Sequence, residues 1–277
     1  MNDTLANIFS RTSTRSFSGE PLMPAEESAL VQALNQPVVF GSEARFRLIG
    51  PDMGGGRIGT YGVIRKAPAW VVGCVAESPL AFIDYGYAME GIILAATALG
   101  LGTCWLGGIF GRTGAGRALD LRPGEIVPAV SPVGMPAARS TLADRVIRAA
   151  AGSSSRLPPS ELFFDGSWDT PLADAGDWAL PLEAVRRGPS ASNKQPWRIL
   201  RTGSTGKPEF HLFLKENPVY THAIPGVALQ DMDAGIALRH FEAAASSLSL
   251  PGRWLVDPRP PEAPEAPDIR YIASWVE

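Results

Sequence analysis

An internal repeat is the feature of this sequence that most constrains its fold. Shifting the chain by 149 positions places Asp84–Leu106 on Asp233–Leu255 without a gap, and nine of the 23 aligned residues are identical. Unrelated segments of ordinary composition would share roughly two. A second block, Phe46–Ile49, falls on Trp197–Leu200 at a shift of 151. Two similar Ala-rich helices could produce the first match alone, but the ordered match of helix, tryptophan and strand favours a duplicated chain.

The repeat divides the 277 residues into two expected halves, residues 1–168 and residues 169–277, which together form one compact unit. Helical spacing over Asp84–Leu99, and over its counterpart in the second half, predicts two long central helices. Both carry small residues, among them Ala95, Ala96 and Ala244, so we expect the helices to pack closely across a pseudo-twofold axis. Such packing would imitate a symmetric homodimer within one chain, and we expect a monomer.

Shorter elements surround these helices. Pro24, followed by two acidic residues, predicts a helix that runs to about Leu34. Apolar runs predict strands at Arg45–Gly50, Ala69–Val75 and Ile126–Val133. Because helices and strands mix without a regular β-α-β rhythm, an α+β fold with mixed, mainly antiparallel sheets is favoured over a doubly wound parallel sheet.

Composition and charge exclude several classes of partner. A net charge of −3 and a pI near 5.7 provide no electrostatic basis for binding nucleic acid or an anionic membrane. The longest apolar stretch, Ile92–Leu101, is too short to span a bilayer, and the N-terminus has no apolar signal core. We therefore expect a soluble cytoplasmic protein. Cys74 and Cys104 lie in apolar stretches and are interpreted as buried thiols, not as a disulfide.

Motifs of several enzyme classes are missing from the sequence. Its three histidines have no metal-ligand spacing and no paired cysteines near them, so no metal site is expected. The chain has no Gly-x-Ser-x-Gly elbow, which argues against a hydrolase. It also has no G-x-G-x-x-G fingerprint after a strand, so a separate nicotinamide-binding domain is not expected.

Two polar segments, far apart in the chain, carry the candidate chemistry. In the first, Arg11–Arg15, alternate residues point the same way if the segment is extended, and its guanidinium groups suit a phosphate. Taken alone, this segment is more often a solvated basic helix end. The second, Pro189–Asn193, combines hydroxyls, an amide and turn geometry, and leads through Gln195 and Pro196 into a strand at Trp197. The alternative interpretation is an ordinary polar loop before an edge strand.

Together these segments resemble the two flavin-binding signatures of the nitroreductase family, R-x-S-x-R and P-S-x-x-N-x-Q-P-W. The resemblance implies a nitroreductase-like fold and a bound FMN. On this basis the cofactor-binding residues are Arg11, Thr12, Ser13, Arg15, Pro189, Ser190, Ala191, Ser192 and Asn193. Arg11 and Ser13 would anchor the phosphate, and Arg15 would stabilise negative charge at the pyrimidine end of the ring. The second segment would hold the ribityl chain and the ring edge.

Two further segments resemble parts of the same family. Gly107 and Gly108, in the loop after the first long helix, correspond to a loop whose backbone faces the flavin N5, and glycine permits close approach to a planar ring. They join Arg15 as expected catalytic residues. Ser155 and Arg156 resemble a basic segment that closes over the phosphate. A glycine stop before a core strand and a plain surface arginine are equally weighted alternatives.

Each signature occurs once, which predicts one flavin per chain. In nitroreductase homodimers each FMN lies between two subunits. Here the repeat position of Pro189–Asn193 holds Val38–Ser42, and the region equivalent to Arg11–Arg15 holds Ser160–Phe164, with an acid where cations would be needed. The resemblance therefore implies a single-chain, duplicated branch of the family with one intact composite site.

The activity implied by the resemblance is FMN-dependent oxidoreduction. A hydride would pass from NADH or NADPH through FMN N5 to a small organic acceptor, such as a nitroaromatic, a quinone or a flavin, with ping-pong kinetics. Two alternatives stay open. One is another FMN reaction, such as reductive dehalogenation or flavin-ring cleavage. The other is a flavin-binding protein with little turnover, used for sensing or storage.

Overall fold

Two sheets each pack against one of two long helices. The computed structural model describes residues 4–51, 59–60, 62–108, 110–138, 155–204, 206–221, 224–257, 259–263 and 268–277. The first sheet contains β1 (Ala44–Ile49), β2 (Ala69–Ala76), β3 (Gly102–Thr103), β4 (Glu125–Ile126) and β5 (Val130–Gly134). Its order is β1-β2-β5-β3, with β4 also paired to β2, and all of these pairings are antiparallel.

The second sheet repeats the order of the first and extends it. It contains β6 (Phe163–Asp165), β7 (Ser167–Pro171), β8 (Trp197–Ser204), β9 (Lys207–Lys215), β10 (Arg253–Leu255) and β11 (Ile269–Val276). Its order is β10-β11-β9-β8-β6-β7. The path β8-β9-β11-β10 therefore matches the path β1-β2-β5-β3. β6 joins the edge of β8 in parallel, and the other pairings are antiparallel.

The helices connect and cover these sheets. They are α1 (Thr4–Ser10), α2 (Pro24–Ala33), α3 (Ala81–Ala98), α4 (Arg112–Leu119), α5 (Pro159–Leu162), α6 (Ala179–Arg187), α7 (Pro218–Thr221) and α8 (Leu229–Ser247), with 3₁₀ turns at Gly176–Trp178 and Ala191–Asn193. The predicted α+β class, with mixed and mainly antiparallel sheets and long central helices, is confirmed. In the described ranges, no helix is long and apolar enough to cross a bilayer.

The two long helices, α3 and α8, cross in backbone contact. A Cβ added to Gly86 would lie less than 3.0 Å from the backbone of Met232, and one added to Gly235 would lie less than 3.0 Å from the backbone of Ile83. Both glycines and their contact partners are related by the same shift of 149 residues. Glycine is required at both positions because any side chain would force the helices apart.

The predicted close approach is therefore present, but it does not occur at the alanines. Ala96 packs into the core between α3 and the first sheet, whereas Ala245 packs into the core of the second sheet. Leu94 and Ala244 pack around Ile8 of α1 instead of pressing the two helices together. The N-terminal helix α1 packs against both α3 and α8 in this region.

The strand expected over Ile126–Val133 is divided into β4 and β5. Ile126 lies opposite Val75 of β2 and Val130 lies opposite Val72, so the register shifts by one residue between these pairs. Pro128 stands within the shift. Because proline has no N–H to donate, it is accommodated at such a bulge and interrupts the continuous ladder.

The predicted boundary between the halves falls inside a strand. Residues 168 and 169 both belong to β7, and β6 before it already pairs with β8, with Phe163 opposite Ile199. The second sheet thus begins before residue 169. The reason is that β6 covers the edge of β8, whose backbone groups would otherwise lack partners.

Both cysteines are free and buried, as predicted. Burial raises the pKa of the Cys74 thiol to about 11 and also raises the pKa of the Cys104 thiol, although the Arg15 and Arg11 cations oppose the second shift. The two thiols therefore remain protonated at neutral pH and are poor nucleophiles.

A buried histidine lies in a hydrogen-bond chain within the second sheet. His211 on β9 is 1% exposed, with its Nε2 2.7 Å from Thr202 Oγ1 and its Nδ1 2.7 Å from Ser274 Oγ. Burial lowers the pKa of His211 to about 4, although the Asp257 carboxylate opposes the shift. The folded chain therefore holds this ring in its neutral form.

We expect a Gly86→Ala substitution to destabilise the protein by about 3 kcal/mol or more, because the clash is with backbone that no rotamer change can relieve. Chemical denaturation would measure the loss. Gly50→Ala is the matched control, since an added Cβ there meets nothing within 4 Å. Equal stability of the two variants would contradict the backbone contact between α3 and α8.

We expect His211 to make folding less favourable as the pH falls from 7 to 5. A histidine with its ordinary pKa of 6.5 gains a proton in the unfolded chain over this range, whereas folded His211, with a pKa of about 4, does not. Protonation thus favours unfolding by about 2 kcal/mol at pH 5. Urea denaturation should show that the free energy of unfolding of His211→Gln falls by about 2 kcal/mol less than that of the wild type between pH 7 and pH 5. The same pH dependence in both proteins would refute this expectation.

Candidate functional site

A cavity of about 800 Å³ lies where the end of α1, the loop after β3, α8 and the segment after α6 meet. Its volume is within the range of about 300–1,000 Å³ that is typical of small-molecule sites. The cavity is lined by Ile8, Phe9, Arg11, Thr12, Ser13, Arg15, Val63, Trp105, Leu106, Gly107, Gly108, Arg156, Arg187, Pro189, Ser190, Ala191, Ser192, Asn193, Tyr220, Leu229, Met232, Asp233 and Ile236. Both polar segments therefore face one space, although they are far apart in the sequence.

The first polar segment is an extended strip held by main-chain hydrogen bonds. The Thr14 N–H donates to the Thr103 carbonyl at 2.8 Å, and the Arg15 carbonyl accepts from the Arg65 N–H at 2.8 Å. An added Cβ on Gly102 would strike the Thr14 side chain, so glycine makes room for the strip. Arg11, Ser13 and Arg15 reach the cavity as the alternation predicts, and Thr12 reaches it as well.

The second polar segment is a tight turn with unusual backbone geometry. Ser192, Asn193 and Gln195 have φ angles of 47°, 55° and 48°, in the left-handed region that residues other than glycine seldom adopt. Ser190 Oγ accepts a hydrogen bond from the Gln195 N–H at 2.8 Å, and Gln195 Oε1 accepts one from the Leu157 N–H at 3.0 Å. Backbone in this region is retained where the surroundings enforce it, here along a cavity wall.

Four arginines line the cavity, and three of them, Arg11, Arg156 and Arg187, are close enough for Arg156 to feel the charges of the other two. The Arg11 side chain is 5% exposed, and its Nε and Nη1 have no hydrogen-bond partner among the described residues. The nearest carboxylate, that of Glu90, is 3.9 Å from Nε. Burial, together with the neighbouring Arg11 and Arg187 cations, lowers the pKa of Arg156. Buried arginines with unused donors suit a phosphate or another multivalent anion.

Ser155 contacts the residues of this wall but does not itself line the cavity. Its carbonyl accepts hydrogen bonds from Asn193 Nδ2 at 2.9 Å and from Arg156 Nη1 at 2.8 Å. Arg156 Nη1 also donates to Asn193 Oδ1 at 3.0 Å. The predicted basic segment therefore meets the second polar segment directly, with Arg156 at the cavity and Ser155 behind it.

The opposite wall is mainly apolar and includes the predicted glycines. An added Cβ on Gly107 would lie 2.7 Å from the Leu229 side chain of α8, so this glycine admits a side chain from the other half of the protein. An added Cβ on Gly108 would meet only the Ile224 side chain, at 3.9 Å. The Arg112 guanidinium donates a hydrogen bond to the Gly107 carbonyl and thereby orients this loop.

Asp84 and Asp233, which are identical under the repeat, bind their neighbouring loops differently. Asp84 is fully buried and accepts three main-chain N–H groups between Val39 and Ser42, at 2.7 to 2.8 Å. Asp233 lines the cavity and, among the described residues, accepts the Ala191 N–H, at 3.0 and 3.1 Å from its two oxygens. Burial raises the pKa of Asp233 well above its ordinary value. Among the described residues, Asp84 thus accepts three main-chain N–H groups and Asp233 accepts one, so Asp233 has more unused hydrogen-bonding capacity.

Core side chains occupy the place that corresponds to the cavity under the repeat. The residues equivalent to Leu229, Met232 and Ile236 of the cavity wall are Leu80, Ile83 and Tyr87. Together with Val39 and Phe40, these three pack into the hydrophobic core of the second sheet. An apolar cluster therefore stands where a symmetric protein would repeat the cavity.

Comparison with known proteins identifies the family. A family model described as "Putative TM nitroreductase" matches residues 3–245 of the chain. The chain belongs to this nitroreductase family. No curated protein sequence matches it significantly.

One solved structure agrees with the family at the level of the fold, and two others are reported only as similar proteins. The crystal structure of a putative nitroreductase from Thermotoga maritima aligns with a TM-score of 0.61 and 19% identity, covering 100% of this chain and 94% of that one. A nitroreductase with bound FMN from Bacteroides fragilis aligns with a TM-score of 0.42 and 19% identity, covering 51% of this chain and 92% of its own. An FMN-dependent nitroreductase from Clostridium difficile has a TM-score of 0.40 and 18% identity, with coverages of 49% and 88%.

Several residues at or near the cavity were not singled out from the sequence. Arg187 is the last residue of α6 and lies two residues before Pro189. Its position next to the signature could have identified it from the sequence. The identity of Asp233 with Asp84 under the repeat was a second signal. Glu90 and His240, which lie behind the cavity wall, left no such signal, because the repeat aligns them with unlike residues. In the described part of the chain, no group of three or more His, Cys, Asp and Glu side chains is placed to hold a metal ion.

We expect the two equivalent aspartates to respond differently to the same substitution. Asp84→Asn should cost about 2–3 kcal/mol of stability at pH 7. In the variant an amide N–H₂ would face a main-chain N–H that donates to a carboxylate oxygen in the wild type. Asp233→Asn should change stability by less than about 0.5 kcal/mol, since the amide oxygen can still accept the Ala191 N–H. Urea denaturation of both variants would measure the difference, and equal losses would contradict the contrast between the two carboxyl groups.

Proposed function

We propose that this chain is an FMN-dependent NAD(P)H oxidoreductase of nitroreductase type, with one FMN in the cavity between its two halves. The observation that carries the proposal is the convergence of Arg11–Arg15 and Pro189–Asn193 on one cavity. The resemblance of each segment to a flavin-binding signature was found from the sequence alone. Their meeting in space is an independent reason to assign them to one ligand.

The residues present fit the cofactor. Arg11, with its buried and unpartnered Nε and Nη1, would bind the phosphate together with Arg156 and Arg187. Ser190 and Asn193, on the turn that adjoins this basic cluster through the Arg156–Asn193 hydrogen bond, would hold the ribityl chain. The cavity therefore offers cations for the charged end of FMN and hydroxyl and amide groups for its polar chain.

When bound, FMN would supply the hydride chemistry, accepting from NADH or NADPH at N5 and passing the hydride to a small organic acceptor such as a nitroaromatic, a quinone or a flavin. The protein would contribute binding, orientation and exclusion of water. Trp105, Leu106 and Met232 form an apolar wall that would shield the ring. The Gly107–Gly108 backbone would approach the ring closely, and Arg112 would hold the Gly107 carbonyl away from it.

Arg15 is proposed to act electrostatically at the pyrimidine end of the ring. It lines the cavity, and its guanidinium forms no hydrogen bond or ion pair with the described residues. A fixed cation whose charge is not neutralised by a protein carboxylate would favour added negative charge beside it. No side-chain acid and base are needed for this role.

The single site follows from a proposed internal duplication. The shared strand order of the two sheets and the reciprocal contacts of Gly86 and Gly235 support a pseudo-dimer within one chain. The cluster around Phe40 and Tyr87 leaves no equivalent cavity in its place, which supports one cofactor per chain. We propose that the chain acts as a cytoplasmic monomer on a small-molecule acceptor, without a nucleic-acid or membrane partner.

The proposal is tested by reconstituting the purified protein with FMN and mixing the complex anaerobically with NADH or NADPH in a stopped-flow instrument. We expect about one flavin per chain and loss of the flavin absorbance on mixing. A ratio near two would contradict the single site. Flavin that is bound but not reduced would favour the sensing or storage alternative, and a protein that takes up no FMN would refute both functions.

Arg15→Ala tests the electrostatic role within the same experiment. We expect its rate of flavin reduction to fall about tenfold or more, since one charge-assisted interaction is removed. Arg47→Ala is the control, because Arg47 is a half-exposed surface residue paired with Asp120. Equal reduction rates in the two variants would remove Arg15 from the site.

A further inference from the structure

A buried histidine and glutamate join the two long helices behind the cavity. Glu90 on α3 and His240 on α8 are both 0% exposed, and His240 Nε2 lies 2.8 Å from Glu90 Oε1. His240 Nδ1 lies 2.8 Å from the Ala184 carbonyl oxygen. A carbonyl can only accept, so Nδ1 carries a hydrogen. The contact between Nε2 and Oε1 then needs a second proton, on either the ring or the carboxyl. The pair therefore holds one shared proton and has no net charge.

Arg11 lies next to this pair, at a long ion-pair distance from Glu90, and forms no hydrogen bond with it. Its Nε is 3.9 Å from Glu90 Oε1, beyond hydrogen-bond distance, and Nε and Nη1 have no partner among the described residues. The other Glu90 oxygen accepts the Trp105 Nε1–H at 2.6 Å. With the pair neutral, the cluster of Arg11, Glu90 and His240 carries a net charge of +1 wherever the shared proton resides. That charge and the two unused donors belong to a side chain that lines the cavity.

Without the shared proton, the net charge of the cluster of Arg11, Glu90 and His240 would change. Glu90 would then be a buried carboxylate beside a buried guanidinium with free donors, and a small movement would shorten their 3.9 Å contact to a hydrogen-bonded ion pair. The cluster would lose its net positive charge, and an anionic ligand would have to compete with Glu90 for Arg11. His240 is the group that prevents this, because it brings the proton to Glu90 from the other half of the protein.

We propose that His240 is a positioning residue that neutralises Glu90 and so leaves Arg11 available to the anionic group of the ligand. This inference rests on the proposed function, in which that group is the FMN phosphate. It predicts that His240 affects recognition of the phosphate and not of the rest of the cofactor. A merely structural role in joining α3 and α8 would affect both alike.

The test compares FMN with riboflavin, which has the ring and the ribityl chain but no phosphate. In titrations at neutral pH, His240→Gln should weaken FMN binding about tenfold, because Gln can donate a neutral N–H to Glu90 but brings no additional proton. Riboflavin binding should change less than about twofold. The double variant Glu90→Gln/His240→Gln should recover the wild-type FMN affinity, since it contains no carboxylate to compete for Arg11.

Two further variants complete the test. Glu90→Gln alone should bind FMN as tightly as the wild type, because the amide can accept from Trp105 and donate to neutral His240. His211→Gln removes another buried histidine, remote from the cavity wall, and should leave the ratio of FMN to riboflavin affinity unchanged. An equal loss of both ligands in His240→Gln, no loss of either, or a double variant as weak as the single one would overturn the proposal.

Failure of the proposed function can be told apart from failure of this inference. A wild-type protein that binds no flavin would refute the function. Inorganic phosphate then serves as the probe, and it should raise the melting temperature of the wild type and of the double variant but not that of His240→Gln. A phosphate response that is the same in all three proteins would overturn the role of His240.

Discussion

The crossing of α3 and α8 in backbone contact is the constraint on which the rest of the structure depends. Gly86 and Gly235 each lack the one atom that would separate the helices. The cavity wall continues from this contact, because Met232 and Ile236 lie within three residues of Gly235 and face the ligand space. A wider crossing would move that wall away from the polar strip at Arg11. The geometry of the candidate site is thus set in part by the contact between the two helices.

Around this nearly symmetric frame the side chains are not symmetric. Asp84 binds three main-chain N–H groups and holds an apolar loop, and Phe40 of that loop fills the core. Asp233, at the equivalent position, binds the Ala191 N–H and faces an open cavity. The space beside Asp84 is therefore filled by core side chains, whereas the space beside Asp233 stays open as a cavity. Similar backbone geometry at the two places is compatible with a single cavity, because the surrounding side chains fill one place and leave the other open.

Arginines at the candidate site also differ from those in the rest of the fold in how their charges are paired. Arg45 pairs with Glu125 at 2.5 Å and Arg201 pairs with Asp165 at 2.7 Å, as structural arginines usually do. Arg11 is more deeply buried than either, yet two of its nitrogens have no partner within the described ranges. Burying unsatisfied donors costs stability, so packing elsewhere must offset this cost. Such an arrangement is expected where a ligand supplies the missing acceptors.

The sequence by itself determined the features that depend on residues close together in the chain. Helical spacing located α3 and its counterpart α8, and apolar runs located β1 and β2. The division into two halves with one signature in each stays a prediction. Three features could not be predicted from the sequence. They are the extra residue near Pro128, the strand that crosses the predicted boundary at residue 168, and the position of Ser155 behind the cavity wall. Tertiary structure alone decided that the helices meet at glycines instead of alanines, and that Glu90 meets His240 beside Arg11. These contacts join residues far apart in the chain, and local pattern carries no information about which distant side chains will share a buried space.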